Sequence, residues 1–424
     1  MSANIILSIN AGSSSVKVSV YKAKGKAEDP VELAVVQVAG LTAPPATLTY
    51  NRGDEHIKNR KIEGVDSQED GFRYILDHLT NDKGLPELTN KEDIEFACHR
   101  VVHGGDYPRA QVIDVATYHH LEELSDLAPL HNAGALTIVR AVHSHLPSAT
   151  NVAYFDSSFH STMPEHIRTY PIDPKIAKRN KLRKYGFHGI SYAFITKAVA
   201  AYLHRPVGAL NIIALHLGSG ASACCIRGGA SLDTSMGLTP LAGLPGATRS
   251  GDVDPSLVFH YTHDAGKPSA SSSKALHITA AEDILNKHSG WAALTGTTDF
   301  GAIMASDAAE CTLATDMFVD RIAGFVASYY VKLGGRPDAL VFAGGIGEKG
   351  AQLRRRVVEA VECLGFELDA ARNEGAEEVD GVVVDVGKSG ARHGVLVCRT
   401  DEQLEMARGC VAEAETFRSR SGGA

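Results

Sequence analysis

The chain has 424 residues, 44% of them hydrophobic, a formal net charge of -8 and seven cysteines. That length and apolar share allow a large buried core and suggest two domains or more. The acidic balance and the lack of any Lys/Arg-rich block argue against a nucleic-acid partner. No apolar run approaches the ~20 residues that span a bilayer, so no membrane segment is expected. An odd cysteine count without a CxxC pair argues against a disulfide framework or a zinc site. Strand signal starts within a few residues of Met1, which leaves no room for a signal peptide, so a soluble cytoplasmic protein is expected.

In chain order, the apolar stretches Ile5–Asn10, Val16–Tyr21 and Glu32–Val38 predict an antiparallel meander with short turns. The first turn, Asn10-Ala-Gly-Ser-Ser-Ser15, is no ordinary strand tip. Gly12 permits close approach of a ligand, the serines offer hydroxyl and amide donors, and Lys17 adds a cation, a combination suited to phosphoryl oxygens. Helical spacing follows at Phe72, Ile75, Leu76 and Leu79, and strands return at 96–102 and 152–155. The second half starts over. The strand Asn211–Leu217 meets Gly218-Ser219-Gly220-Ala221-Ser222, then a strand at 223–227 where Cys224 and Cys225 read as small core residues, then a Gly-Gly turn and a third strand. Two halves that each open on a Gly/Ser hairpin suggest duplication of one domain. A long helix is predicted over 307–333, with Phe318, Ile322, Phe325, Val326 and Tyr329 on one face. It feeds the strand Ala339–Ala343 and a glycine turn, Gly344-Gly-Ile-Gly-Glu348, at the start of another helix, a ready anion or nucleotide site that does not fit GxGxxG. The Ser-rich stretch 267–274 reads as a flexible surface loop.

Five further segments gather polar groups where a packed core would not want them: Cys98–Gly105, Leu127–Asn132, Tyr154–His160, Tyr185–Gly189, and Asp233–Gly237 with its continuation to Asp252. Taken singly, each has a plain structural explanation. A strand-end arginine is commonly a salt-bridge partner, a histidine beside glycines a hydrogen-bonded structural residue, Asp156 a helix cap, and Phe187 or Met236 core.

Together the segments INAGSSSVK, HRVVHGG, LAPLHN, FDSSFH, YGFHG, HLGSGAS, DTSMGLTPL, TRSGDVDP, GGIGE and TDEQL resemble the acetate kinases (the acetokinase family), with propionate and butyrate kinases as near relatives. They occur in family order over nearly the whole chain, and the departures and the Ser-rich insertion resemble a eukaryotic, fungal-type member. The resemblance implies two duplicated α/β domains of ribonuclease-H type, as in sugar kinases, Hsp70 and actin, flanking a cleft. Domain I would comprise 1–165 plus 397–424, and domain II 166–396. It also implies reversible Mg²⁺-dependent (or Mn²⁺-dependent) transfer between ATP and acetate, giving ADP and acetyl phosphate, in a homodimer. Arg249, Arg100, His188, His131, Asp156 and Asn10 would be the catalytic set. Asn10, Asp156 and Glu402 would organise the metal, and Val102, Leu130, Phe187 and Pro240, with Arg100, would bind the acyl substrate. Ser13, Ser15, Lys17, His216, Gly218, Ser219, Gly220, Asp299, Phe300, Gly301, Gly345, Ile346 and Gly347 would surround the nucleotide.

The chemistry needs such parts. Phosphoryl transfer passes through a strongly anionic transition state, so positioning and charge neutralisation supply most of the catalysis. Acetate is already ionised at neutral pH, and no general base is required. Departures fall on the nucleotide side: Ser219 where Asn is typical, Gly301 where Arg commonly follows, Lys349 for Asn, Tyr192 for a frequent His, and Ala242 for a frequent Glu. The alternatives are a short-chain acyl (propionate) kinase, or the same transfer with pyrophosphate/orthophosphate in place of ATP/ADP. A chaperone-like ATPase or a filament former on the same fold would leave Arg100, Arg249 and His188 without a carboxylate to serve.

Overall fold

Strand β1 (Ile5–Ala11) is buried almost end to end, and its side chains alternate between two different partners. Ile5, Leu7 and Ile9 face a core shared with the helices Gln68–Asn81 and Pro129–His145, whereas Ser8 meets the helix Glu402–Ser421. The computed structural model describes residues 5–12, 14–25, 28–125, 129–261, 264–272 and 278–421, with backbone alone at 125, 129–131, 133 and 421. It divides into two units: residues through Ser158 together with those from Asp401 onward, and Phe159–Thr400.

In the first unit β1 pairs antiparallel with β2 (Ser15–Lys22), and the meander continues through β3 (Val31–Ala39), β4 (Ala46–Arg52) and β5 (Glu55–Ile62). The sequence reading anticipated three of these five strands. β4 does alternate, burying Ala46, Leu48 and Tyr50 between threonines, but it is short, and its partner β5 is polar and mostly exposed. On its other side β1 runs parallel to β6 (Ile94–Val101), which runs parallel to β8 (Thr150–Phe155), with the short β7 (Gln111–Val112) antiparallel at the edge. Helix Gln68–Asn81 starts where Ser67 accepts the Asp70 amide and buries the anticipated face of Phe72, Ile75, Leu76 and Leu79. The C-terminal helix is tied to β1 by a reciprocal pair, Ser8 Oγ donating to the Gln403 carbonyl (2.8 Å) and Gln403 Nε2 to the Ser8 carbonyl (2.9 Å).

The second unit repeats the pattern. Strands β9 (Asn211–Leu217), β10 (Ala221–Arg227) and β11 (Ala230–Thr234) form an antiparallel meander. Then β12 (Ala339–Ala343) and β14 (Gly394–Cys398) extend the sheet parallel to β9, with β13 (Val383–Asp385) antiparallel at the edge. The order β3-β2-β1-β6-β8 of the first sheet recurs as β11-β10-β9-β12-β14 in the second. The predicted long helix spans Ala309–Lys332 and packs Phe318 against Trp291 and Phe300 with ring centroids 5.3 and 5.1 Å away. One reading is corrected here. Gly344–Lys349 is not a turn but a six-residue helix that starts directly at the end of β12, with Gly344 at φ +75° making the bend. Cys224 and Cys225 are fully buried on β10, as read from the sequence. Residues 267–272 form a largely exposed, turn-rich stretch, and the last two residues of the Ser-rich segment lie outside the described residues. Among the described residues no helix is long and apolar enough to cross a membrane.

Two buried histidines, one in each unit, are held neutral by their burial. His99 donates from Nε2 to Asn151 Oδ1 (2.8 Å), and burial pushes its pKa down to about 4. His160 donates from Nε2 to the Phe187 carbonyl (2.9 Å) and accepts from the Ser231 hydroxyl (2.8 Å), and burial likewise lowers its pKa to about 4. Between the unfolded value of 6.5 and about 4 the unfolded chain binds more protons, so stability falls as pH drops through that window. Each histidine contributes about 3 kcal/mol to the loss, at 1.36 kcal/mol per unit. Urea midpoints measured from pH 7 to 4 should fall, and His99→Gln should flatten the first unit's dependence. A wild-type midpoint independent of pH would contradict the assignment.

Candidate functional site

The first unit gathers its polar residues at the ends of three adjacent strands. Asn10 lies at the end of β1, Arg100 near the end of β6, and Asp156 follows β8. Asp156 is 1% exposed, and its carboxylate accepts two bonds from Arg100, from Nε at 3.1 Å and Nη2 at 2.7 Å. Arg100 also donates to Asn10 Oδ1 (3.4 Å) and stands 3.6 Å from Glu402, which the Ser8–Gln403 pair brings to this sheet face. Burial opposes the guanidinium charge, but the fields of Asp156 and Glu402 outweigh it and hold the pKa above the ordinary arginine value. Lys17 faces Asn10 across the β1–β2 pair, and Ser15 opens β2. The hairpin tip is closed by the Gly12 amide on the Ser15 carbonyl (2.9 Å), so that amide is used within the turn. Ser13 lies outside the described residues, as do the side chains of Leu130 and His131, which fall at the start of helix Pro129–His145. Val102 follows β6 and is half-buried.

Two carboxylates and an amide oxygen around one guanidinium form an oxygen-only donor set that remains anionic overall. Such hard donors suit a hydrated Mg²⁺ or Mn²⁺ and not a soft metal. Among the described residues no group of three or more His, Cys, Asp or Glu side chains forms a metal cage.

In the second unit His188 takes a left-handed conformation (φ 57°) at the N-terminus of helix Gly189–Tyr202. The surrounding segments hold this turn. The Tyr185 and Gly186 amides donate to the Gly237 carbonyl (2.9 and 3.2 Å), His160 ties down Phe187, and Lys184 pairs with buried Asp233 (3.0 Å). His188 Nδ1 lies 2.8 Å from Ser222 Oγ, and its ring stacks on His216 at 4.2 Å. Phe187 and Pro240 are buried close by in sequence to these turns.

The second hairpin tip, Gly218–Gly220, closes in the same manner as the first, the Gly218 amide donating to the Gly220 carbonyl at 3.1 Å. Arg249 rides on a loop stapled to this tip. Ala247 donates to the Ser219 carbonyl (2.8 Å), Gly246 to the Arg249 carbonyl (2.9 Å), and Ser289 to the Thr248 carbonyl (3.0 Å). A Cβ on Gly220 would strike Arg249 Nη2 and come within 3.5 Å of His188 Nε2, so guanidinium and imidazole converge on one side of the tip. Gly218 and Ser219 of the same tip line a cavity of about 670 Å³, with Asp299, Phe300, Gly301, Gly345 and Ile346 from the anticipated set and Lys349 among the departures. Asp299 also caps the helix Phe300–Met304 through the Ala302 amide. Gly347 is buried behind this wall and does not line it.

The sequence reading missed the supports of this site. Ser222 and Ser191 hold the two stacked histidines, and only their place within GSGAS and beside YGFHG could have flagged them. Arg354, 1% exposed, donates to the Gly347 and Glu348 carbonyls (2.8 and 2.7 Å) and to Asn373 (2.7 Å), holding the floor of the cavity. Nothing in its Arg-rich helical surroundings distinguishes it by sequence.

Two neighbouring glycines give contrasting expectations. A Cβ on Gly344 would sit 2.7 Å from the Leu217 carbonyl oxygen at a φ of +75°, whereas a Cβ on Gly345 meets nothing within 4 Å. Gly344→Ala should destabilise the protein by about 2 kcal/mol or more, and Gly345→Ala by less than about 0.5 kcal/mol. Denaturant unfolding of the two variants side by side measures the difference, and equal losses would contradict the geometry.

The model of the acetokinase family matches residues 5–408. A probable acetate kinase of Neurospora crassa is 56% identical over 98% of this chain and 95% of its own. Among solved structures, a propionate kinase from Francisella tularensis superposes with a TM-score of 0.83 at 32% identity, covering 96% of this chain and 98% of its own. An acetate kinase from Porphyromonas gingivalis gives 0.80 at 31% identity, covering 98% and 100%. The chain therefore belongs to the acetokinase family and has that family's fold of two α/β domains.

Proposed function

We propose that this chain is an acetate kinase, catalysing ATP + acetate ⇌ ADP + acetyl phosphate by direct in-line phosphoryl transfer. The observation that carries the reading is the tip Gly218–Gly220, which takes part in two things at once. Gly218 and Ser219 line a cavity of nucleotide size, and Arg249 with His188 stands against the adjoining Gly220. A phosphate chain running past the tip would leave its base in the cavity and bring its terminal phosphoryl group to the cationic side. Arg249 then neutralises charge on the transferring group and the acetate carboxylate with a planar fork suited to both. His188 donates a hydrogen bond to oxygens that gain charge in the transition state. A pyrophosphate donor would leave the cavity without an occupant, which favours ATP/ADP over an inorganic donor.

In the first unit, Asn10, Asp156 and Glu402 would hold a hydrated Mg²⁺ or Mn²⁺, whose role is to neutralise nucleotide phosphate charge. Arg100 keeps the two carboxylates oriented and presents its remaining N–H groups to substrate. Ser13, Ser15 and Lys17 add donors from the first hairpin tip. The family resemblance assigns Val102, Leu130, Phe187 and Pro240 to an apolar pocket for the acetate methyl, and His131 to a supporting role. Such a pocket separates substrates by roughly 1–3 kcal/mol per methylene, so propionate should be a poorer substrate, not an excluded one.

The repeated strand order supports two duplicated ribonuclease-H-like domains, the first interrupted and completed by the C-terminal helix. Homodimer assembly and a cytoplasmic location belong to the same proposal. Trapping acyl phosphate as its hydroxamate tests the activity: acetate, Mg²⁺ and ATP should give product, and none would overturn the reading. Product from an inorganic phosphoryl donor alone would favour the alternative donor. Arg249→Ala should lower kcat by about 10²–10³-fold, the loss typical of removing one preorganised transition-state donor, with the unfolding midpoint kept. Near-normal turnover would refute its role.

A further inference from the structure

Three histidines of the second unit share one device. His160, His188 and His216 each present Nδ1 to a serine hydroxyl at 2.8 Å, from Ser231, Ser222 and Ser191 respectively. Two of those serines are themselves backed by a second hydroxyl. Tyr192 Oη lies 2.5 Å from Ser222 Oγ, and Thr400 Oγ1 lies 2.9 Å from Ser191 Oγ.

A run of hydroxyls has a direction only if something fixes one end, and here Tyr192 does. It is fully buried, and burial keeps its phenol protonated far above the usual range, with the nearby Cys224 thiol acting the same way. A buried phenol proton needs an acceptor, and Ser222 Oγ stands at hydrogen-bond distance. Ser222 is fully buried too. Having accepted from Tyr192, its hydroxyl spends its own proton on His188 Nδ1. That leaves the imidazole proton on Nε2, the atom facing Gly220 and Arg249.

We propose that Tyr192 and Ser222 are positioning residues that hold His188 in the Nε2–H tautomer through this one-way run of hydrogen bonds. The proposal rests on the phosphoryl-transfer reading above and explains how His188 acts there as a donor without being charged. The opposite tautomer would point a lone pair at the phosphoryl oxygens and repel them. His216 on β9 stacks on its ring at 4.2 Å, the Arg249 guanidinium shares its side of the Gly220 tip, and Ser222 on β10 occupies Nδ1 with a proton. Tyr192, on its own helix, stays neutral.

The test uses the full chain with ¹⁵N-labelled histidine, reading the His188 tautomer by long-range proton–nitrogen correlation and, separately, kcat and nucleotide KM. Ser222→Ala and Tyr192→Phe each remove a single oxygen, and thermal unfolding confirms that both fold. In wild type His188 should carry its proton on Nε2. Ser222→Ala should mix the tautomers and lower kcat about 10–100-fold with nucleotide KM held within about twofold, a loss like that of outer hydrogen-bond partners of metal-bound histidines. Tyr192→Phe should shift the same readouts in the same direction by less. A proton on Nδ1 in wild type would overturn the proposal, and so would variants that leave the tautomer unmoved. The nitrogen signals report the tautomer whether or not acetyl phosphate forms, so failure of the relay is distinguishable from failure of the activity.

Discussion

A sheet buried on both faces can display polar groups only at its ends, and strand direction decides which residues meet there. In the first unit β1, β6 and β8 run parallel, so Asn10, Arg100 and Asp156 arrive at one edge although they are scattered through the sequence. In the second, β9, β12 and β14 do the same for His216, Gly344 and Thr400. The antiparallel arms contribute the hairpin tips at that edge, each closed by a glycine amide. The residues carried by the strand ends themselves, such as Asn10 and Arg100, depend on this shared polarity, because a shift of one register position would turn them to the opposite face.

The same burial sets the electrostatics. Asp156 at 1% exposure is tolerable only because Arg100 meets both its oxygens, and Asp233 at 5% only because Lys184 and Lys332 reach it. These pairs fix side chains at the strand ends before any ligand arrives. The ion pair at Asp156 therefore has two consequences. It orients a carboxylate that would otherwise rotate, and it holds a guanidinium beside it whose charge the neighbouring acids keep secure. Preorganisation of this kind lowers the reorganisation a transition state has to demand.

How much of this was legible in the sequence follows from the same physics. Strands with continuous apolar runs, such as β1, β9 and β12, declare themselves, and so does a helix with a clean face such as Phe72 to Leu79. The charged β4–β5 hairpin does not, because its outer strand is mostly exposed and has little to bury. The family motifs pointed to Arg100 and Asp156 at strand ends and to His188 and Arg249 on the turn and loop near the second hairpin tip, since chemistry restricts which residue types stand there. Their supports were less legible. Tyr192 stood out only as a departure from the family's frequent histidine, and Ser222 is ordinary by composition; their roles arise only when the fold brings Ser222 to the His188 imidazole, 34 positions away, and the Tyr192 hydroxyl to Ser222, 30 positions away. The glycine run 344–347 was misread as a turn because glycine favours turns locally, whereas packing against β9 makes it helical.

That short helix shows how local weakness is offset by tertiary contacts. Six residues with three glycines among them lack the propensity to stand alone, and their terminal carbonyls need partners. Arg354 supplies them, donating to the Gly347 and Glu348 carbonyls from a site with no carboxylate in direct contact. Burial lowers its pKa to about 10, still high enough to keep it charged at neutral pH. A cation at the carbonyl end of a helix is favourable, and here the helix dipole and Asn373 add to the more distant attraction of Glu377. At the other end the Gly344 amide finds Glu348 Oε1 at 3.0 Å, and the same carboxylate accepts the Thr400 amide at 3.2 Å. One wall of the cavity is thus held from both ends by charged side chains, and its glycines are left with only the work for which they are suited: letting a ligand lie close to the backbone.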